Sequence, residues 1–117
     1  MAATPDQIRA TITAYFDRFN ARDRDGYVGL YAPDATLEDP VGSEVRSGRA
    51  SIGEFWDAVQ SMTENVQLVP NGAPCIAAGE CAFRFTIVNV LGGDRYVMDA
   101  IDGIWSGLRI VWRRENR

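Results

Sequence analysis

Asp39 is the first candidate for a catalytic group, because it follows a short extended stretch whose apolar residues share its parity. Ala35 and Leu37 fall on the same predicted face as Asp39, whereas Glu38 falls on the opposite face. Pro40 favours an extended backbone at the residue before it, which restricts the direction of the carboxylate. A carboxylate held in this way suits a general base, and a simple turn aspartate in water is the alternative.

Asp102 is the second candidate, because it is an acid among apolar side chains. It shares a predicted strand face with Met98, Ala100 and Ile104. A carboxyl group buried without a cationic partner is costly to ionise, and its protonated form donates a hydrogen bond. The alternative is an aspartate that faces solvent at a strand bend.

Two tyrosines supply phenol groups that are expected to point inward. Tyr15 falls within the apolar stripe of the first predicted helix, between Ile12 and Phe19, and Tyr31 is the second. Each also fits an ordinary core tyrosine bonded to a backbone carbonyl. The Asp39 carboxylate and two neutral donors, protonated Asp102 and the Tyr15 phenol, together suit the transfer of a proton next to a carbonyl. The donors stabilise the oxygen as it gains negative charge.

The composition excludes several other chemistries. The chain has 117 residues and a net charge of −4, and all twelve of its cations are arginines, without any histidine or lysine. The lack of histidine excludes Ser-His and Cys-His nucleophile systems and histidine-ligated metals, and the lack of lysine excludes an internal Schiff base. Cys75 and Cys81 fit no metal-ligand pattern and are expected to be small buried or half-buried thiols.

Charge and hydropathy also indicate location and partners. Basic residues cluster only in RRENR, which argues against nucleic acid as a partner. The sequence contains no apolar run of membrane-spanning length, and its N-terminus lacks the pattern of a secretory signal. We therefore expect a cytoplasmic protein that needs no membrane.

The elements that must position these groups are predicted to form one α+β domain over residues 1–117. Helical spacing predicts a helix from Thr4 to about Arg22 with Thr4 as its N-cap. A short second helix is predicted in DRDGYVGLYAPD and a third in GRASIGEFWDAVQSM; the expected inward residues of the second are Val28, Leu30 and Tyr31, and the expected capping-box pair of the third is Ser51 and Glu54.

The second half of the chain is predicted to form strands. These lie in NVQLVPN, APCIAAG, ECAFRFTIVNVL, RYVMDAIDGIW and LRIVWRREN, with turns at GGD and SG. Helices followed by a run of antiparallel strands indicate a curved antiparallel sheet covered by three N-terminal helices.

Three segments, YAPDATLEDPVG, GRASIGEFW and MDAIDGIW, carry a resemblance to a known family. From about Ile8 to Trp105 the sequence resembles the bacterial ketosteroid isomerases, the steroid Δ-isomerases of the nuclear-transport-factor-like cone fold. The joint presence of Tyr15, Asp39 and Asp102 is the most specific part, because it includes all three positions at which that family keeps its catalytic groups.

The resemblance implies a cone-shaped α+β barrel and isomerisation of 3-oxo-Δ5-steroids without a cofactor. It implies that Asp39 moves a proton from C4 to C6, that Tyr15 and protonated Asp102 bind the dienolate oxygen, and that Tyr31 supports Tyr15 through a phenol chain. The expected substrate-binding residues are Tyr31, Phe55, Trp56, Phe83, Met98, Ala100, Ile104 and Trp112. Trp56 stands where well-studied members have a further tyrosine, and only SG separates GIW from LRIVW, where the family usually has a longer hairpin.

Other functions stay open beside the isomerase. The short hairpin motivates a steroid- or lipid-binding cone protein without catalysis. A polyketide cyclase or an epoxide hydrolase is the third possibility; epoxide-hydrolase relatives use an Asp-Arg-Asp arrangement to activate water, and Arg84 and Arg95 are candidate arginines for it. The many aromatic and aliphatic residues of the strands in 80–112 are compatible with a homodimer, which the family commonly forms through the outer sheet face.

Overall fold

The computed structural model describes residues 3–39, 42–106 and 109–116, with side chains for 3–39 and 42–100. In these ranges the helices are α1 (Pro5–Asn20), α2 (Arg24–Val28) and α3 (Gly48–Ser61). The strands are β1 (Thr36–Glu38), β2 (Arg46–Ser47), β3 (Asn65–Pro70), β4 (Cys75–Ala77), β5 (Glu80–Leu91), β6 (Asp94–Ser106) and β7 (Arg109–Asn116).

Helix α1 begins as its sequence predicts. The Gln7 backbone N–H donates to the Thr4 hydroxyl at 3.2 Å, and the Thr4 N–H donates to the Gln7 side chain at 2.9 Å, which completes a capping box. The buried residues of α1 form one stripe: Ile8, Ile12, Tyr15, Phe16 and Phe19. The predicted inward position of Tyr15 is therefore confirmed.

Helix α2 is shorter than its sequence pattern predicts. It ends at Val28, and Gly29 takes the C-cap position. Because glycine is a poor helix former, a segment that contains both Gly26 and Gly29 does not sustain the longer helix. The early end leaves Tyr27, at 2% exposure, as the buried residue of α2. The prediction of inward-facing residues in this segment was wrong in that it omitted Tyr27.

Helix α3 covers the predicted segment, but it begins differently. Ser47 is its N-cap residue and makes no side-chain cap hydrogen bond, so Ser51 lies inside the helix and the predicted capping box is wrong. Ile52 and Trp56 are buried, whereas Phe55 and Val59 are half-buried. This gradient along α3 leaves its C-terminal half less closely packed on the sheet.

In the described ranges the seven strands form an open sheet with the order β2-β1-β7-β6-β5-β3, and β4 pairs with β5. All these strand pairs are antiparallel except β1 with β7, which run parallel. Gly92 and Gly93 connect β5 to β6 with positive φ angles of 59° and 82°, as a tight two-residue hairpin requires. The predicted α+β class, with helices on an antiparallel sheet, is confirmed. Over the described residues the sheet is open, however, and does not close into the barrel that the resemblance implied.

The helices cover one face of the sheet, which we call the inner face. On β5 this face carries the buried residues Cys81, Phe83, Phe85 and Ile87 in strict alternation. Asn20, the last residue of α1, fixes the helix to the edge strand β3. Its amide donates to the Leu68 carbonyl at 2.9 Å and accepts the Leu68 N–H at 2.8 Å. These two hydrogen bonds fix the C-terminal end of α1 on the sheet and so help to position Tyr15.

Candidate active site

A cavity of about 430 Å³ lies between the helices and the inner face, within the range of small-molecule sites. Its wall is mostly apolar, with residues from all three helices and from β3, β5 and β6. The hydrogen-bonding side chains on the described wall are those of Tyr15, Tyr27, Thr63 and Asn89. Such a wall suits a large hydrocarbon molecule that carries few polar groups.

Tyr15 lines this cavity and is 2% exposed. Its ring lies between helix and sheet, with ring-centroid distances of 5.4 Å to Tyr27, 5.6 Å to Phe83 and 6.4 Å to Phe85. Because rings surround it, the phenol is held in one orientation. A fixed phenol on an apolar wall can donate a hydrogen bond to an oxygen that gains negative charge.

A pair of further tyrosines stands behind Tyr15. The hydroxyl groups of Tyr27 and Tyr31 are 2.8 Å apart, and both residues are buried. Trp56 packs on Tyr27 with a ring-centroid distance of 4.8 Å. Sequence reasoning found Tyr31 but missed Tyr27, which stands between Tyr15 and Tyr31. The spacing of four residues between Tyr27 and Tyr31 was the available signal.

Asp39 lies one residue beyond the end of β1 and is half-buried. Ala35 and Leu37 are each 2% exposed, which confirms the predicted inward face of this stretch. Glu38 is half-buried as well, and its carboxylate accepts the Gly42 N–H at 2.9 Å. In the described part of the structure Asp39 does not line the cavity.

The backbone of Asp102 lies in the centre of the sheet, paired with Phe83 of β5 and with Arg114 of β7. The register of β6 and β7 shifts between Asp102 and Ile104, so the ladder is irregular beside the candidate acid. The carboxyl group of Asp102 and the side chains of Ile104 and Trp112 lie outside the described side chains. Trp112 pairs through its backbone with Leu37 of β1.

The other expected substrate-binding residues fall into two groups. Phe55 and Met98 lie on the cavity wall. Tyr31, Trp56, Phe83 and Ala100 are all buried, at 1–5% exposure, and lie in the packed core rather than on the described wall. The inward positions of Phe83 and Ala100 were predicted correctly by parity, but parity does not tell a packed position from one that faces an open space.

Arg84 and Arg95 were the candidate arginines for an Asp-Arg-Asp arrangement. Arg84 and Arg95 are both exposed, and Arg84 contributes to a separate cavity of about 300 Å³ on the other side of α1. Asp57 accepts two hydrogen bonds from Arg24, at 2.8 Å and 2.9 Å, and this pairing lowers the pKa of its carboxyl group. No group of three or more metal-ligating side chains occurs among the described residues.

The open sheet, its covering helices and the apolar cavity define a ketosteroid-isomerase-like fold. The chain matches the SnoaL-like domain over residues 12–106 and belongs to that family. It is 36% identical over 113 residues to a steroid Delta-isomerase of Nocardioides simplex, with 91% of this chain and 89% of the relative covered. The resemblance found in the sequence is thereby confirmed.

Two solved structures extend the comparison. A hypothetical protein with a ketosteroid isomerase-like fold from Catenulispora acidiphila, in complex with trimethylamine, has a TM-score of 0.79 at 16% identity, over 97% of this chain and 86% of the other. The epoxide hydrolase/cyclase-like enzyme SalBIII, of pyran ring formation in the polyether salinomycin, has a TM-score of 0.79 at 25% identity, over 93% and 89%. One fold thus carries more than one chemistry. None of the described helices is long and apolar enough to span a membrane.

Proposed function

We propose that the protein isomerises 3-oxo-Δ5-steroids to conjugated 3-oxo-Δ4-steroids, a reaction of steroid metabolism that needs no cofactor. The observation that carries the proposal is the buried Tyr15 phenol on the wall of a mostly apolar cavity of about 430 Å³. Similarity to the steroid Delta-isomerase of Nocardioides simplex supports the same chemistry.

The proposed reaction is a proton transfer through a dienolate. The Asp39 carboxylate takes a proton from C4, and the electron pair moves onto the 3-oxygen, which becomes a dienolate oxygen. Tyr15 and protonated Asp102 form the oxyanion hole by donating hydrogen bonds to this oxygen. The proton then returns from Asp39 to C6, which forms the conjugated enone and restores the carboxylate.

The strand register supports the convergence of the two aspartates. Glu38 pairs with Arg113 and Asp102 pairs with Arg114, so continuing the β1–β7 register by one residue brings Asp39 into the row of Asp102. In such a row Asp39 and Asp102 are two strand spacings, about 10 Å, apart. The row continues to Phe83, whose ring contacts that of Tyr15. This register supports the proposal that one bound ring system contacts the base and both donors.

The test is the ultraviolet absorbance of the conjugated enone formed from 5-androstene-3,17-dione. Asp39→Asn removes the base and is expected to lower kcat by about 10²- to 10⁴-fold. Glu38→Gln is the matched control, since it neutralises the neighbouring carboxylate, and it should retain most of the rate. Unchanged turnover in Asp39→Asn would show that the base is another group. Tight binding of equilenin without any enone formation would replace the isomerase with a non-catalytic steroid-binding protein.

One observation favours a second candidate, the opening of an epoxide by water. Arg114 is the ladder partner of Asp102, and the continued β1–β7 register places it in the same row as Asp39. An arginine between two aspartates favours their ionised forms, and such a row can hold and activate a water molecule. The similarity to the epoxide hydrolase/cyclase-like enzyme SalBIII supports this candidate.

Arg114→Gln separates the two candidates. An ionised Asp102 cannot donate to a dienolate oxygen, so the isomerase predicts that this change leaves steroid turnover equal or higher. The epoxide-opening enzyme predicts that it abolishes consumption of an epoxide such as cyclohexene oxide. Consumption of the epoxide by the unmodified chain, without any steroid conversion, would decide for the second candidate.

We further propose a homodimer that forms through the outer face of the sheet. Support comes from Val97 on that face, which is 57% exposed and pairs with Val88 of β5. Sedimentation should show a dimer at micromolar concentration, and Val97→Arg should shift it towards the monomer. A monomer in both proteins would contradict the proposal. The cytoplasmic location stays a prediction that cell fractionation can test.

A further inference from the structure

Asn89 is the least expected side chain on the cavity wall. It continues the inner-face alternation of β5 after Phe83, Phe85 and Ile87, where another apolar residue would complete the pattern. Its backbone pairs with Val66 of β3 and Tyr96 of β6, so it stands in the middle of three strands rather than at an edge. The side chain is half-buried and lines the cavity.

The other polar groups of the wall already have partners. Tyr27 bonds to Tyr31 at 2.8 Å, and the Thr63 hydroxyl lies 2.9 Å from the Asn65 carbonyl and 3.1 Å from that of Val90. Among the side chains and backbone groups that the structure describes, none forms a hydrogen bond with the Asn89 amide. An amide that faces an apolar cavity without a partner gains most from a polar group on a ligand.

Asn89 lies far from the phenol end of the cavity. Phe85, whose ring is 6.4 Å from that of Tyr15, precedes Asn89 by four residues of the same strand. At the rise of an extended strand, this corresponds to about 13 Å. The cavity is therefore apolar along its length, with a phenol near one end and an amide near the other. This distance is comparable with the length of a four-ring hydrocarbon skeleton.

We propose that Asn89 determines substrate specificity by binding a second oxygen at the end of the substrate remote from Tyr15. This inference rests on the proposed function and narrows its substrate class to rigid, fused-ring molecules with oxygen at both ends. The amide N–H donates to a remote ketone, and the amide oxygen accepts from a remote hydroxyl. A skeleton with a plain hydrocarbon tail leaves the amide without a partner and binds less tightly.

The experiment compares dissociation constants of equilenin, its 17-deoxo analogue and its 17-hydroxy analogue by fluorescence titration. With the unmodified chain, removal of the 17-oxygen should weaken binding about 3- to 10-fold, the usual effect of one hydrogen bond. In Asn89→Leu, whose side chain has nearly the same size, this difference should disappear. Leu91→Met on the same wall is the matched control and should preserve the ratio between the ligands.

Asn89→Asp gives a signature that a purely structural role would not produce. A carboxylate accepts hydrogen bonds but does not donate them, so this variant should retain the 17-hydroxy ligand and lose affinity for the 17-oxo ligand. Equal affinity of the unmodified chain for equilenin and its 17-deoxo analogue would overturn the role of Asn89 and leave the isomerase proposal intact. Failure of all three ligands to bind would overturn both.

Discussion

The two halves of the space between helices and sheet are built from similar residues, yet one is filled and the other is hollow. Below α1, the ring centroids of Phe16, Phe83 and Phe85 lie 5.5–5.8 Å apart, so these rings pack directly against one another. Below the C-terminal half of α3, the side chains of Val59 and Ile87 border the cavity instead. Large aromatic rings therefore set the closed end, and smaller aliphatic side chains leave the space that a substrate can occupy.

The largest expected effect is a difference in stability between a substitution in the filled half and one in the hollow half. Phe85 is fully buried, at 0% exposure, so Phe85→Ala should lower the free energy of unfolding by about 3–5 kcal/mol. Met62→Ala, at the hollow end and 67% exposed, should change it by less than about 0.5 kcal/mol. Urea denaturation followed by circular dichroism measures both. Similar losses in the two variants would show that the halves are equally packed.

The next effect concerns Tyr15, where the filled half meets the cavity. Tyr15→Phe keeps the ring packing and removes the hydroxyl, so it should cost at most about 0.5–1.5 kcal/mol of stability while kcat falls by about 10²- to 10³-fold. Steady-state turnover of 5-androstene-3,17-dione provides the rate. A large loss of stability with normal turnover would instead make Tyr15 a structural residue of the filled half.

A smaller effect is expected for the tyrosine that sequence reasoning missed. Tyr27→Phe removes the hydrogen bond of 2.8 Å to Tyr31 and should cost about 0.5–1.5 kcal/mol of stability. Its effect on kcat should be smaller than that of Tyr15→Phe, because its hydroxyl stands one position further from the proposed dienolate oxygen. If Tyr27→Phe lowers kcat as much as Tyr15→Phe, Tyr27 is the donor that contacts the substrate.

The smallest effect is expected at the Arg24–Asp57 pair on the surface. The pair lowers the folded-state pKa of Asp57 below its ordinary value of 3.8, so it stabilises the fold above that pH and loses its contribution as the pH falls through the folded pKa. Because both side chains are exposed, Asp57→Asn should change stability only slightly at neutral pH. Unfolding curves at neutral pH and below about pH 4 should show the difference between the two proteins shrinking in acid. A difference that grows in acid would contradict the assignment.

The elements could be predicted from the sequence because local patterns determine them. The capping box of Thr4 and Gln7, the alternation of β5 and the Gly92–Gly93 hairpin all follow from spacing along the chain. The early end of α2 was missed because two weak helix formers overruled an apolar pattern, and with it Tyr27 was missed. The order of strands, including the parallel β1–β7 pair, depends on contacts between distant segments that no local pattern contains.

The candidate site could be predicted only in part. Tyr15 was found because helical spacing places it inward. The family resemblance implied that Phe83 and Trp56 line the pocket, but both are buried away from the wall of the 430 Å³ cavity. Alternation says which face a side chain takes, and it says nothing about whether a partner fills the space opposite. Asn89 was overlooked for the converse reason, because a polar residue near a strand end resembles an ordinary exposed residue.

The most direct test of the central claim follows one hydrogen atom through the reaction. 5-Androstene-3,17-dione labelled with deuterium at C4 is mixed with the purified chain, the conjugated enone is followed by its ultraviolet absorbance, and the product is examined by mass spectrometry and NMR. The account predicts enone formation well above the uncatalysed rate, with deuterium delivered to C6. Enone formation no faster than without protein would contradict it.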